Sequence, residues 1–278
     1  MRKYYLLIIL FLLFTVSLSG QTGQNYQAWV DNAARHIETD RLDSAAISLQ
    51  RAMSLDPMNE NNPVLLLNLG IIQRQQGLAD DAYISFTAAL ANNPIQDVVL
   101  HRRASLLSEL GRYDEAIEDY TTLIRDYPEE VEAYYRRGVL YLEQHNRLKG
   151  EADFVKANEL DPDHFFTQLS KALLFKLEDN WEAAEKIYSR LVESEPNPDP
   201  SILLNRAECY VHTGQTFRAS ADLRTIEPSQ RNNPYFYFLR GRVRLDQFDK
   251  VAARADFNKA REMGYDLPLV DEWIKKTK

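Results

Sequence analysis

The sequence predicts an all-α protein built as a stack of helical hairpins. Three observations carry this prediction. The chain repeats itself with a step of 34 residues, two positions are small in every repeat, and no β-type alternation of useful length interrupts the helical pattern.

Repeats begin at Tyr26, Pro63, Asp97, Val131, Phe165, Pro200 and Pro234, giving units 26–59, 63–96, 97–130, 131–164, 165–198, 200–233 and 234–267. Three extra residues follow the first unit and one follows the fifth. The eighth place holds Ala33, Gly70, Ala104, Gly138, Ala172, Ala207 and Gly241, and the twentieth Ala45, Ala82, Ala116, Gly150, Ala184, Ala219 and Ala253. The twenty-fourth is always bulky: Leu49, Phe86, Tyr120, Phe154, Tyr188, Leu223 and Phe257. Apolar residues recur at three- and four-residue spacing in each half, as amphipathic helices require. Facing small residues let two helix axes approach, and the bulky neighbour fills the groove beside them.

Punctuation agrees. Turn signals stand near Asp40, Gly77, Gly111, Asp179 and Gly214, between the halves of their units. Pro57, Pro94, Pro128, Pro162 and Pro196 close five units, because proline cannot continue the hydrogen-bond ladder. Units six and seven hold Arg231 and Tyr265 at that place, with Pro228 and Pro268 displaced. Residues 268–278 carry Trp273 and Ile274 followed by Lys275 and Lys276, the pattern of a capping helix with one polar face.

The small, bulky and proline places resemble the tetratricopeptide repeat family over residues 26–267. That resemblance implies a right-handed superhelix of seven helix-turn-helix repeats, with a concave groove lined by the first helices. It also implies a role in holding a peptide or protein partner.

At the N-terminus, Arg2 and Lys3 precede an unbroken apolar run over residues 6–14, then Ser17, Ser19 and Gly20. This is the layout of a secretory signal peptide over residues 1–20, and its apolar core falls short of the ~20 residues a membrane span needs. The expectation is export to a bacterial periplasm or surface, with no membrane insertion after cleavage. The 33 basic residues less Arg2 and Lys3 leave 31 against 41 acidic, a net charge of −10, which disfavours nucleic acid. Cys209 is the single cysteine, so no intramolecular disulfide forms.

Arginine raises the first functional question. The seventh place of each unit holds Asn32, Leu69, Arg103, Arg137, Lys171, Arg206 and Arg240, and the twenty-third Ser48, Ser85, Asp119, Asp153, Ile187, Asp222 and Asp256. Every unit with arginine has aspartate, and no other unit does. The expectation is four structural ion pairs inside hairpins: Arg103–Asp119, Arg137–Asp153, Arg206–Asp222 and Arg240–Asp256. A guanidinium fork meets a carboxylate in a directional contact.

The family register places Asn68, Arg74, His101, Arg102, Tyr135 and Arg136 in the groove of units two to four, a polar, locally basic strip left open to a partner. In units five to seven it places Phe166, Leu169, Leu173, Leu204, Tyr235, Phe238 and Arg242 there, a mostly apolar stretch. Such a surface suits a peptide with spaced hydrophobic anchors and an acidic end. A family sub-type clamps a C-terminal carboxylate with two lysines and two asparagines. Val30, Ala34 and Val98 stand at three of the clamp places, so that resemblance fails. A glycan or lipid ligand held by Tyr135, Phe166, Tyr235 and Phe238 is the alternative. The five histidines are scattered, no metal or phosphate-loop motif occurs, and Cys209 reads as a small core filler, so neither catalysis nor a cofactor is expected. Asp43-Ser44-Ala45 resembles a short O-glycosylation signal and reads equally as a helix start.

Overall fold

A computed structural model describes residues 21–91 and 96–278. The signal-peptide reading of residues 1–20 and the closing Pro94 lie outside the described residues. Among the described residues there are fifteen α-helices and no strand. The first pairs are α1 (Gln21–Glu38) with α2 (Leu42–Leu55), α3 (Asn62–Gln75) with α4 (Ala79–Ala89), α5 (Gln96–Glu109) with α6 (Tyr113–Asp126), and α7 (Val131–Glu143) with α8 (Arg147–Leu160). The later pairs are α9 (Phe165–Leu177) with α10 (Trp181–Ser194), α11 (Pro200–His212) with α12 (Thr216–Ile226), and α13 (Pro234–Asp246) with α14 (Lys250–Glu262). The last helix, α15 (Leu267–Lys276), is single.

Closely packed helix pairs follow from the small residues. Ala33, Ala104, Ala172 and Ala207 on first helices, and Ala45, Ala82, Ala116, Ala184, Ala219 and Ala253 on second helices, are all buried. At Gly70 and Gly241 even a methyl group is too large: a Cβ there would lie 2.6 Å from a ring carbon of Phe86 or of Phe257. Between α7 and α8 the obstacle is backbone itself, because a Cβ on Gly150 would come 2.9 Å from the backbone oxygen of Gly138.

The turn inside every hairpin uses a residue with positive φ at one repeat place. Asp40, Gly77, Gly111, His145, Asp179, Gly214 and Phe248 all occupy it, with φ between 56° and 78°. Glycine, aspartate and histidine tolerate this left-handed conformation, whereas Phe248 is a bulky residue held there and 91% exposed. Pro57, Pro128, Pro162 and Pro196 each stand two residues beyond a second helix, and so does Pro228, which lies in the 3-10 turn Glu227–Ser229 that follows the 11-residue α12. Pro268 instead opens α15, and Gly264 at φ 82° ends the hairpin before it. Asn180, Asp199, Asn233, Asp249 and Asp266 cap their helices by accepting a backbone N–H bond within the first turn. Asp43, Ser44 and Ala45 form the first turn of α2, with Ala45 fully buried.

The chain divides into two compact units, residues 1–153 and 154–278, with the division inside α8. Each is a stack in which a core cluster joins one hairpin to the first helix of the next. In the first unit, Ala33, Ala45 and Leu49 of the α1–α2 pair meet Leu65, Leu69 and Ile72 of α3. Ala82 and Phe86 of α4 meet Val99 and Leu106 of α5, and Ala116, Tyr120 and Leu123 of α6 meet Ala133 and Leu140 of α7. In the second unit, Ala172 of α9 and Tyr188 of α10 meet Ile202 and Cys209 of α11. Leu223 and Ile226 of α12 meet Phe236 and Leu239 of α13. A hairpin buries its apolar face only against its neighbour, and this is the physics of an all-α repeat solenoid.

Candidate functional site

Charged residues inside the hairpins are structural. Arg103 donates through Nε and Nη2 to the two oxygens of Asp119, at 2.9 and 2.6 Å. Arg137 does the same to Asp153 at 2.9 and 2.7 Å, Arg206 to Asp222 at 2.8 and 2.7 Å, and Arg240 to Asp256 at 2.9 and 2.7 Å. The four aspartate side chains are 5–9% exposed and the four arginines 15–18%. The bond from Arg103 to Asp119 raises the guanidinium pKa, and burial raises the Asp119 carboxyl against the pull of that guanidinium. Desolvation therefore consumes much of what the pair gains.

The fork also reaches backwards, which the sequence pattern did not announce. Arg103 Nη1 donates to Thr87 Oγ1 at 3.1 Å, and Arg137 Nη1 to Thr121 Oγ1 at 3.0 Å; the two threonines hold one repeat place in successive hairpins. Arg240 Nη1 donates to Glu227 at 2.6 Å, and Arg244 adds a further bond to Asp256 at 2.8 Å. Units without arginine satisfy the place differently: Ser85 donates to Gln73 at 2.6 Å, and Lys171 to the Pro162 carbonyl at 2.9 Å.

In the first unit, the outward strip of α3, α5 and α7 is more paired than its basic composition implies. Arg74 grips the Glu109 carboxylate through two nitrogens and donates to Ser105 Oγ at 3.2 Å, joining α3 to α5. Arg136 donates to Glu132 on its own helix at 3.0 Å and lies 6.0 Å over the Tyr135 ring. Asn68 is only 3% exposed and so is no groove contact; its Oδ1 is buried without a hydrogen-bond partner. Arg102, half-buried on α5, makes no hydrogen bond or ion pair among the described residues. Burial, and then the charge of Arg74, lowers its pKa. His101 Nε2 lies 3.7 Å from Glu130 Oε1, with its ring edge-on to Tyr120 at 5.8 Å between centroids. One ligand atom from each of His101, Glu130 and Glu132 falls within 4.8 Å of the others.

The second unit corrects the expected apolar stretch. Leu204 is 8% exposed and packs in the core against Phe236 and Leu239, because α13 covers its face of α11. Phe238 is 3% exposed, enclosed by Phe257, Tyr265 and Trp273 once α15 folds over it. Phe166 is half-buried beside His164 and Phe165, and Leu169 packs against the α9–α10 core. Tyr235 stacks on Phe238 and meets the Tyr265 ring at a tilt of 41°, and burial together with the Glu208 carboxylate pushes its hydroxyl well above the ordinary pKa.

Polar residues absent from the expected set fill the same strip. Lys176 of α9 donates to Glu208 at 2.5 Å and to Asn205 at 2.7 Å on α11, bridging two hairpins as Arg74 does in the first unit. Both cations occupy the twelfth place of their repeats, and that shared place is the signal that could have found Lys176. His212 stacks on Trp181 at 3.7 Å between ring centroids and lies 3.3 Å from Arg242 Nη1; burial and the Arg242 charge lower its pKa. Arg242 also lies 5.0 Å over the Trp273 ring. Cys209 is fully buried, and burial pushes its thiol up to about 12, so it stays an unreactive thiol. No helix among the described residues is long and apolar enough to cross a membrane.

Comparison with known proteins places these features. A family profile described as Tetratricopeptide repeat matches residues 101–164. A solved tetratricopeptide repeat protein from Parabacteroides merdae is 36% identical, with a TM-score of 0.70 over 92% of this chain and 99% of that one. A chain of the APC/C hetero-tetramer Cut9–Hcn1 shares the fold at 13% identity, with a TM-score of 0.64 over 93% of this chain and 57% of that one. A DnaJ homolog subfamily C member 7 homolog from Dictyostelium discoideum is 30% identical over 128 residues, covering 41% of this chain and 24% of that protein. The chain spans 13–37% of the length of the curated relatives it matches.

Proposed function

We propose, from the premise that the chain belongs to the tetratricopeptide repeat family, that it is a non-enzymatic scaffold holding a peptide segment or protein partner against the outward strip of its first helices. The family membership rests on the 36% identity to a repeat protein that the chain covers almost completely. One observation carries the choice of surface. Arg74 and Arg136 bond to carboxylates, whereas Arg102 between them makes no such bond among the described residues, feels only the more distant charge of Glu132, and is partly desolvated. A half-buried guanidinium in that state gains most from an anionic group brought by a partner. An acidic peptide segment meets that need, with Tyr135 and Arg136 alongside.

The glycan or lipid alternative loses ground here, because Phe238 is buried, which removes one of its four contacts. The Arg2-Lys3 start and the apolar run behind it support export to a bacterial periplasm or surface, where the scaffold would serve assembly of an envelope complex.

The test is photo-cross-linking in cells with a probe at the exposed position 136, in the otherwise native chain and with Arg102→Glu added. A protein adduct that Arg102→Glu abolishes, with an unchanged helical melt, supports the reading. An adduct indifferent to Arg102→Glu moves the docking surface off this strip. N-terminal sequencing of the protein from fractionated cells tests export, which fails if residues 1–20 remain on a cytoplasmic protein.

A further inference from the structure

We propose that His101, Glu130 and Glu132 form a binding site for a divalent transition-metal ion of the zinc class. The site adjoins the docking surface above, sharing Arg136 with it, but needs no partner to form. Its three side chains come from two elements whose relative position the core fixes: His101 from α5, Glu130 and Glu132 from the start of α7, with Leu100 and Ala104 of α5 packed in one cluster with Ala133 of α7.

The spacing fits. A ligand atom of each residue lies within 4.8 Å of the others, and His101 Nε2 is 3.7 Å from Glu130 Oε1. Ligands bonded to zinc at about 2.0–2.2 Å in a tetrahedron stand about 3.4 Å apart, so small rotations of the two glutamates close the set. One imidazole with two carboxylates suits a borderline ion; calcium and magnesium take oxygen ligands alone.

Two further observations concern orientation. Glu130 occupies the N-cap of α7 and, like Asn61 of α3, makes no capping hydrogen bond, whereas His164, Asp199 and Asn233, the N-caps of α9, α11 and α13, do. Its carboxylate faces the imidazole instead. Arg136 contacts Glu132 through Nε and Nη2 on the same oxygen, Oε1, at 3.0 Å. An outer partner held on one oxygen orients a ligating carboxylate and leaves its second oxygen for a metal. The Tyr120 ring, edge-on to His101, holds the imidazole plane.

The experiment titrates Co²⁺ into the untagged full chain after chelator treatment, reading the visible d–d absorption that reports a low-symmetry nitrogen–oxygen site. The expected result is a saturable one-to-one band, displaced by Zn²⁺ and not by Ca²⁺ at equal concentration, weakened at least tenfold in His101→Asn and in Glu130→Gln. Both residues are partly exposed, and melts by circular dichroism check that each variant is folded; Zn²⁺ raises the melting temperature of the native chain and not of the variants. A band of full strength in both folded variants, or no saturable band in the native chain, overturns the site.

Discussion

At the scale of single residues, the question is whether a buried pair stabilises the fold or only makes its own loss expensive. Arg137 and Asp153 are 15% and 8% exposed, so taking both charges out of water costs several kcal/mol per ion and their attraction returns little beyond that. Removing one partner strands the other. Arg137→Ala or Asp153→Ala alone therefore lowers stability by about 3–5 kcal/mol, and the paired apolar replacement Arg137→Met with Asp153→Leu loses less than either single change. Denaturant melts of the three variants check this, and additive losses would refute the pairing. His212 gives a residue-scale pH effect. Burial and Arg242 lower its folded pKa, so the unfolded chain binds that proton more readily. The stability held by neutral His212 is whole above the unfolded value of about 6.5 and is lost as pH falls below it. His212→Gln is expected to flatten the fall in melting temperature between about pH 7 and pH 5, and an unchanged slope counts against the assignment. The Arg–Asp places are legible in the sequence because both partners recur at a fixed offset of 16 residues. Thr87 and Thr121 were not, since one hydroxyl on a helix surface carries no pattern until its neighbour is in place.

Pairs of helices obey a different constraint, that of distance between axes. Gly241 lies against Phe257, and an added Cβ would meet two ring carbons at 2.6 and 2.7 Å. Phe257 is fully buried and cannot swing aside. Gly241→Ala gains about 1 kcal/mol of helix propensity and loses about 1–3 kcal/mol to overpacking. The net expectation is a destabilised hairpin, relieved when Phe257→Leu is added; a more stable Gly241→Ala protein would show that the ring has room. Helix positions and most turns can be read from the chain, yet His145 and Phe248 take the left-handed turn place without the residue type that usually marks it. Groove assignments fare worse for a related reason. Repeat register gives the angle of Leu204 or Phe238 around its own helix, and whether α13 or α15 covers that angle is a property of the neighbour.

On the scale of the whole molecule, each core cluster needs the next hairpin, so the end of a stack is where apolar surface has no successor. In the second unit α15 takes that role. Val270 is fully buried against Phe238, Ala253 and Phe257, Trp273 meets the Phe238 and Phe257 rings, and Lys275 and Lys276 sit in the last helical turn, where positive charge suits the helix dipole. Val270→Asp places a carboxylate among the apolar side chains of that cluster, at a cost of about 3 kcal/mol or more. Leu267→Ser, on a residue 51% exposed at the same helix, changes stability by less than about 0.5 kcal/mol. Val270→Asp is thus expected to melt earlier and to bind a hydrophobic dye below its melting point as α15 lifts from the aromatic cluster. Equal melts for the two variants would mean that the stack closes without its last helix, and that Phe238 is held by its own hairpin.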